Sequence, residues 1–312
     1  MARNVWFGFL KQGMILFLLI SVTVLFAQEP FDNSYIIDVK GVDIHYRFWE
    51  VADGQVEGSI LLIHGFAGST FSWQAVADRL QEKGYEVVAV DLPPYGYSDK
   101  SHRTNQSVTA QAERLHDLVQ LQFPGREWHL AGHSLGGAVV QAFALLYPEK
   151  VQGVVFVAPA LFSRVQVVDH QSSRNALWNS PAGFVVGALA ERWFISGSRV
   201  ADLLESAYGI KPTKYQVRGY LEPLRVPGTA RAILSSAGHS KELHNLDAAL
   251  FDVPAIAVWG DTDSWVPYTT RKNALERMPG VQIVMMEGVG HNPMETHTDE
   301  FIEIMLQFLQ GI

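Results

Sequence analysis

Residues 127–147 read EWHLAGHSLGGAVVQAFALLY, and the order of residue types in this stretch decides the fold. Glu127–Ala131 (EWHLA) is short and mostly apolar, as a buried strand is, and Leu135–Tyr147 is a longer apolar run with helical spacing. Between them lies Gly132-His133-Ser134-Leu135-Gly136, a G-x-S-x-G pentapeptide. A strand that passes into a helix through these residues must carry Ser134 on a tight turn. Such a turn needs small residues on both sides, and Gly132, Gly136 and Gly137 supply them. The first N–H groups of the new helix then point at the serine, which suits a developing oxyanion. The plain alternative is an ordinary glycine-rich strand-to-helix loop. The strand before and the helix after make the nucleophile the better reading.

The same alternation extends outward in both directions. Strands are expected at Tyr35–Val39, Asp43–Trp49, Ser59–Ile63, Glu86–Val90, Gly153–Val157, Ala255–Trp259 and Gln282–Met286, in addition to Glu127–Ala131. Helical patterns lie at Trp73–Lys83, Thr109–Gln122, Leu135–Tyr147, Thr269–Met278 and Thr298–Leu309. Short apolar strands separated by helices build an α/β fold with a mostly parallel eight-stranded sheet buried on both faces. The first two strands have no helix between them and are expected as an antiparallel hairpin at the edge. The alternation lapses once, over residues 160–247, where helical patterns run without a convincing strand. This stretch is expected as a helical insertion above the C-terminal ends of the strands, where ligands bind in such sheets. It holds eight aromatics, among them Trp178, Trp193, Phe194, Tyr208, Tyr215 and Tyr220, and 10 Lys+Arg against 7 Asp+Glu. That balance hints at tolerance for an anionic group on the substrate.

Residues 1–27 stand apart from this body. They carry Arg3 and Lys11, no acidic residue, and the apolar run Met14–Ala27. The pattern is that of a signal peptide or signal anchor, with the remaining 28–312 as the folded domain. The 14-residue run would reach roughly 21 Å as a helix, short of the roughly 30 Å hydrocarbon core, which favours cleavage. Leu25 fits a cut after Ala27 poorly, and Val5–Leu10 lengthens the apolar stretch, so a retained membrane attachment stays open. Either outcome puts the domain outside the cytoplasm, secreted, periplasmic or anchored. Removing the segment leaves 22 basic residues against 32 acidic ones. Nucleic-acid binding is excluded as a function, because phosphate contacts need clustered Lys and Arg. The chain has no cysteine, so disulfides, thiolate metal sites and a Cys nucleophile are excluded as well.

Two further groups arrive in an informative order. Gly260-Asp261-Thr262-Asp263 follows the strand AIAVW, and Gly290-His291-Asn292-Pro293 follows QIVMM. The acid at 263 comes 129 residues after Ser134, and the histidine 28 residues after the acid. Each group sits just past a strand end, so all three can converge on one edge of the sheet. Ser134 alone is a weak nucleophile; His291 as base and an aspartate orienting the imidazole would activate it.

With these residues in view, 35–310 resembles the α/β-hydrolase superfamily, in particular its serine hydrolases with a helical cap. The motifs are His64-Gly65-Phe66, Asp91-Leu92-Pro93-Pro94-Tyr95-Gly96-Tyr97-Ser98, GHSLGG, GDTD and GHNPMET. The resemblance implies a catalytic Ser134, Asp263 and His291, with Asp263 preferred to Asp261. It also implies an oxyanion hole formed by the backbone N–H groups of Phe66 and Leu135. Pro94 departs from the pattern, where relatives often have glycine. The cap segment YLEPLRVPGTARAIL is similar to epoxide hydrolases and haloalkane dehalogenases, but those enzymes use an aspartate nucleophile. A serine attacking the same carbon would leave an ether that water does not cleave, so acyl transfer to water is expected.

The function expected is hydrolysis of a carboxylic ester or related small, mostly apolar acyl compound, without cofactor. Carbon–carbon bond hydrolysis, perhydrolysis with the same triad, and a hydrolase-like receptor with little turnover are the alternatives. No H-E-x-x-H spacing is present, so no metal is expected, and no phosphate-cradling glycine motif follows a strand. His64 is expected to brace the oxyanion loop, and His133 to point away from the site. Trp73 and Trp265 are candidates for the acyl pocket or for the core.

Overall fold

Apolar side chains at every position of a strand, not at alternate ones, mark a strand covered on both faces, and this arrangement fills the centre of the sheet. The structure is a computed structural model that describes residues 30–52, 54–101, 103–167, 195–236 and 241–312. The segment 1–27 lies outside the described residues, as do 168–194 and 237–240 of the expected insertion.

Eight strands form the sheet: β1 (Ser34–Val39), β2 (Val42–Trp49), β3 (Gly58–Ile63), β4 (Tyr85–Val90), β5 (Trp128–His133), β6 (Val151–Val157), β7 (Ala255–Gly260) and β8 (Gln282–Met286). Their spatial order is β1-β2-β4-β3-β5-β6-β7-β8. The β1–β2 and β2–β4 pairs are antiparallel and all the others parallel. The expected edge hairpin is thus present. It turns at Lys40-Gly41, with φ of 54° and 83°, the left-handed pair that matches strand twist in a two-residue hairpin.

In β3, Leu61 and Ile63 pack into one core while Ile60 and Leu62 pack into the other, and all four are fully buried. The first core lies under α2 (Val108–Gln122), α3 (Leu135–Leu146) and α7 (Tyr268–Leu275), with Val119, Phe143 and Leu275 as anchors. The second lies under α1 (Gln74–Glu82) and α9 (Thr298–Leu309), with Leu80, Phe301 and Met305. Each such side chain contributes about 1.5–3 kcal/mol by leaving water. Trp73, a pocket candidate by sequence, is fully buried in the second core, its ring 6.4 Å from that of Phe301.

Between β6 and β7 the described chain adds α4 (Gly197–Tyr208), α5 (Lys214–Leu224) and α6 (Thr229–Ser236). Ser196 caps α4 by accepting from the Arg199 N–H, and Gly209 ends it in the left-handed conformation. Thr213 and Gln216 form a reciprocal capping box at the start of α5. One element escaped the sequence: Arg164–Val165 pairs antiparallel with Leu246–Asp247, closing the neck of the insertion. Arg164 and Arg277 both bind the Asp247 carboxylate there, at 2.8 and 2.6 Å.

Candidate active site

Ser134 stands between the end of β5 and the start of α3 with φ of 50° and ψ of −115°, a strained backbone for a residue with a side chain. The surroundings enforce it. Its N–H donates to the Val157 carbonyl at 3.0 Å, and its carbonyl accepts from Gly137 and Ala160. A Cβ on Gly132 would strike the Gly136 carbonyl, and one on Gly136 would strike the Ile63 carbonyl. The glycines are therefore required by close backbone approach, as the tight turn demanded.

The two candidate acids separate cleanly. Asp263 Oδ2 accepts from His291 Nδ1 at 2.8 Å, while its Oδ1 accepts from the Trp265 and Val266 N–H groups at 2.8 and 3.0 Å. Burial alone would raise the Asp263 pKa, but the His291 hydrogen bond and charge and the two backbone donors outweigh it and hold it below the usual carboxylate range. Asp261 is exposed and accepts from the Gly288 N–H at 2.7 Å, away from the histidine. With Nδ1 engaged by Asp263, the other ring nitrogen of His291, Nε2, has no protein partner among the described residues.

Ser134 and His291 line one cavity, although no direct hydrogen bond joins them. Catalytic hydrogen bonds are often long in unliganded enzymes and tighten with substrate. The walls are Val200, Leu204 and Ala207 of α4, Tyr220 and Leu224 of α5, and Trp265. Trp265 is thus a pocket residue, its ring stacked 5.8 Å from that of His291. No Lys or Arg lines the cavity among the described residues, so the positive balance of the insertion gives no support there to an anionic substrate group. The insertion also grips the histidine directly, because the His291 N–H donates to the Ala207 carbonyl at 2.7 Å.

His133 does not point away as expected. Its ring lies 4.7 Å from that of His291, and Nε2–H donates to the His291 carbonyl at 3.0 Å. Burial, aided by the His291 ring, pushes its pKa well down, so it serves as a neutral brace. His64 donates from Nδ1 to the Gly65 carbonyl at 2.7 Å and accepts the Leu92 N–H at Nε2 at 3.0 Å, fixing the loop that holds Phe66. Among the described residues, the N–H groups of Phe66 and Leu135 have no acceptor, and both residues adjoin Ser134 or its cavity. No three His, Cys, Asp or Glu side chains gather among the described residues as a metal site would require.

A second Ser-His-Asp chain was not anticipated. His45 Nδ1 binds Asp91 Oδ2 at 2.7 Å, and its Nε2 binds Ser34 Oγ at 2.8 Å. Its hydrogen bonds are more complete than those of the first chain. However, His45 and Asp91 are fully buried, and none of the three lines the cavity that holds Ser134 and His291. Asp91 also takes the Thr70 and Tyr97 N–H groups, so the chain ties the hairpin to the loop after β4.

Comparison with known proteins bears on the fold. The family model described as "alpha/beta hydrolase fold" matches residues 58–298. The chain belongs to the alpha/beta hydrolase family. This hydrolase is 28% identical to Lipase 3 of Moraxella sp. (strain TA144) over 253 residues, 75% of its own length and 72% of that protein's. It is 28% identical to Lipase 1 of Psychrobacter immobilis over 267 residues, 80% and 76% of the two chains. Among solved structures, it resembles a membrane phospholipase A (TM-score 0.67, 24% identity, 89% of this chain and 86% of that one). It also resembles a serine hydrolase involved in carbazole degradation (TM-score 0.69, 20% identity, 89% and 99%). At these identities the structural likenesses speak for the fold alone.

Proposed function

We propose that this hydrolase is a serine esterase whose triad is Ser134, His291 and Asp263, under a helical cap spanning about 160–247. The carrying observation is the Asp263–His291 hydrogen bond at 2.8 Å beside a cavity that also contains the strained Ser134. The lipase names of the two curated relatives support an ester as substrate.

In this reading Ser134 Oγ attacks the acyl carbon while His291 Nε2 takes its proton. The carbonyl oxygen becomes an oxyanion held by the Phe66 and Leu135 N–H groups. Collapse expels the alcohol, protonated by the imidazolium, and leaves an acyl-serine. Water, deprotonated by the same nitrogen, then releases the acid and restores the serine. Asp263 stabilises the imidazolium throughout and remains ionised.

The cavity supports a short, uncharged acyl group. Its room, bounded by the described residues, is about 110 Å³, against the about 150 Å³ of an engineered apolar cavity that accepts benzene. Hydrolysis of p-nitrophenyl esters tests this. We expect kcat/KM to rise over the first few methylenes, by up to about 1–3 kcal/mol each, and then fall for long chains. A flat response, or preference for emulsified long-chain lipids, contradicts the pocket.

A further inference from the structure

Glu295 lies in α8 (Pro293–Thr296), four residues after His291, where α5 of the insertion meets the histidine loop. Its Oε2 accepts two hydrogen bonds, from the Tyr220 hydroxyl at 2.6 Å and from the Asn292 side-chain amide at 2.8 Å. Both donors line the cavity that contains Ser134. On its far side Glu295 borders an outer groove with Phe71, Thr213 and Tyr215. The Tyr208 hydroxyl of α4 faces the same carboxyl. One carboxyl oxygen thus joins a wall of the pocket to the residue next to the histidine.

A carboxyl in this place is not explained by an ion pair. Burial raises its pKa to about 7, an effect only partly offset by its hydrogen bonds to Tyr220 and Asn292. Near neutral pH its service is therefore that of a fixed acceptor and not of a permanent charge. Removing it would leave a buried hydroxyl and a buried amide without their partner, and the Tyr220 ring without its anchor.

Resting on the esterase reading, we propose that Glu295 is a positioning residue that sets acyl-chain discrimination, by holding Tyr220 as the pocket wall against the His291 loop. A purely structural brace would affect stability alone. The positioning role predicts a change in which substrate is preferred.

The test measures kcat and KM for p-nitrophenyl acetate, butyrate and hexanoate on the full chain and on Tyr220→Phe, Glu295→Ala and Glu295→Gln. The wild type should prefer butyrate to acetate by about tenfold in kcat/KM. Tyr220→Phe keeps the ring and loses only the hydroxyl, so it remains informative should Glu295→Ala fold poorly. In both, the preference should shrink to within about twofold, with the loss falling mainly on KM for butyrate. Glu295→Gln retains an oxygen that can accept both hydrogen bonds and should restore the preference. An unchanged preference in Tyr220→Phe, or a loss of melting temperature alone, overturns the proposal while leaving the esterase reading intact. A wild type that hydrolyses none of the esters overturns the esterase reading and this proposal with it.

Discussion

Asp261 and Asp263 lie two residues apart on one loop, yet only Asp263 reaches His291. Asp263→Asn should leave the fold intact and lower kcat by about 10³–10⁴, because an amide in its place favours the wrong tautomer of His291. Asp261→Asn should change kcat by less than about twofold. Steady-state kinetics on p-nitrophenyl butyrate decide the matter, and a reversal of the two effects would place the acid at 261. At this scale much was legible. Ser134, Asp263 and His291 stood out because short motifs tie each to a strand end, and the structure brings Asp263 onto His291 and places Ser134 at the same cavity. His133 misled because its direction depends on the His291 carbonyl, 158 residues away in sequence. Glu295 was visible inside GHNPMET, but its partner Tyr220 is 75 residues distant and no local pattern announces that contact.

The strands and helices of the sheet were readable because each is long enough to show its period, as the two faces of β3 illustrate. The neck pair Arg164–Val165 and Leu246–Asp247 was not, since two residues carry no period and the pairing spans the whole insertion. Trp73 was ambiguous for a related reason: an aromatic beside a helix start fits a pocket or a core equally well until the packing partner, Phe301, is known. The junction of α5 and α8 carries a pH signature. Glu295 in the folded chain is raised to about 7, above the usual carboxylate value, so the folded state holds this proton more tightly than the unfolded chain does. That contribution to stability is present at low pH and is lost as pH rises from about 4.5 through about 7. Tyr208 and Tyr220, which face it from α4 and α5, have raised pKa values and stay protonated over this range. Between pH 5 and pH 8 the melting temperature of the wild type should fall more than that of Glu295→Gln, by about 2–4 °C. Parallel curves in calorimetry would show that Glu295 does not titrate in this window.

On the scale of the whole molecule, an acidic body follows a basic and then apolar leader, and we propose that residues 1–27 direct export. A fusion of these residues to a reporter enzyme active only outside the cytoplasm should give signal, and intact protein found soluble in the cytoplasm would contradict it. Mass spectrometry of the N-terminus distinguishes a mature start near Gln28 from a retained anchor. The fold presents two serines with histidine and aspartate behind them, and the central claim is that the open cavity selects Ser134 over the more completely hydrogen-bonded Ser34. A fluorophosphonate separates them directly, since an activated serine attacks phosphorus and the adduct mimics the tetrahedral intermediate. Peptide mapping of the labelled protein should place the adduct on Ser134, with labelling abolished in Ser134→Ala and His291→Ala at similar thermal stability. An adduct on Ser34, or labelling that survives either substitution, would contradict the account.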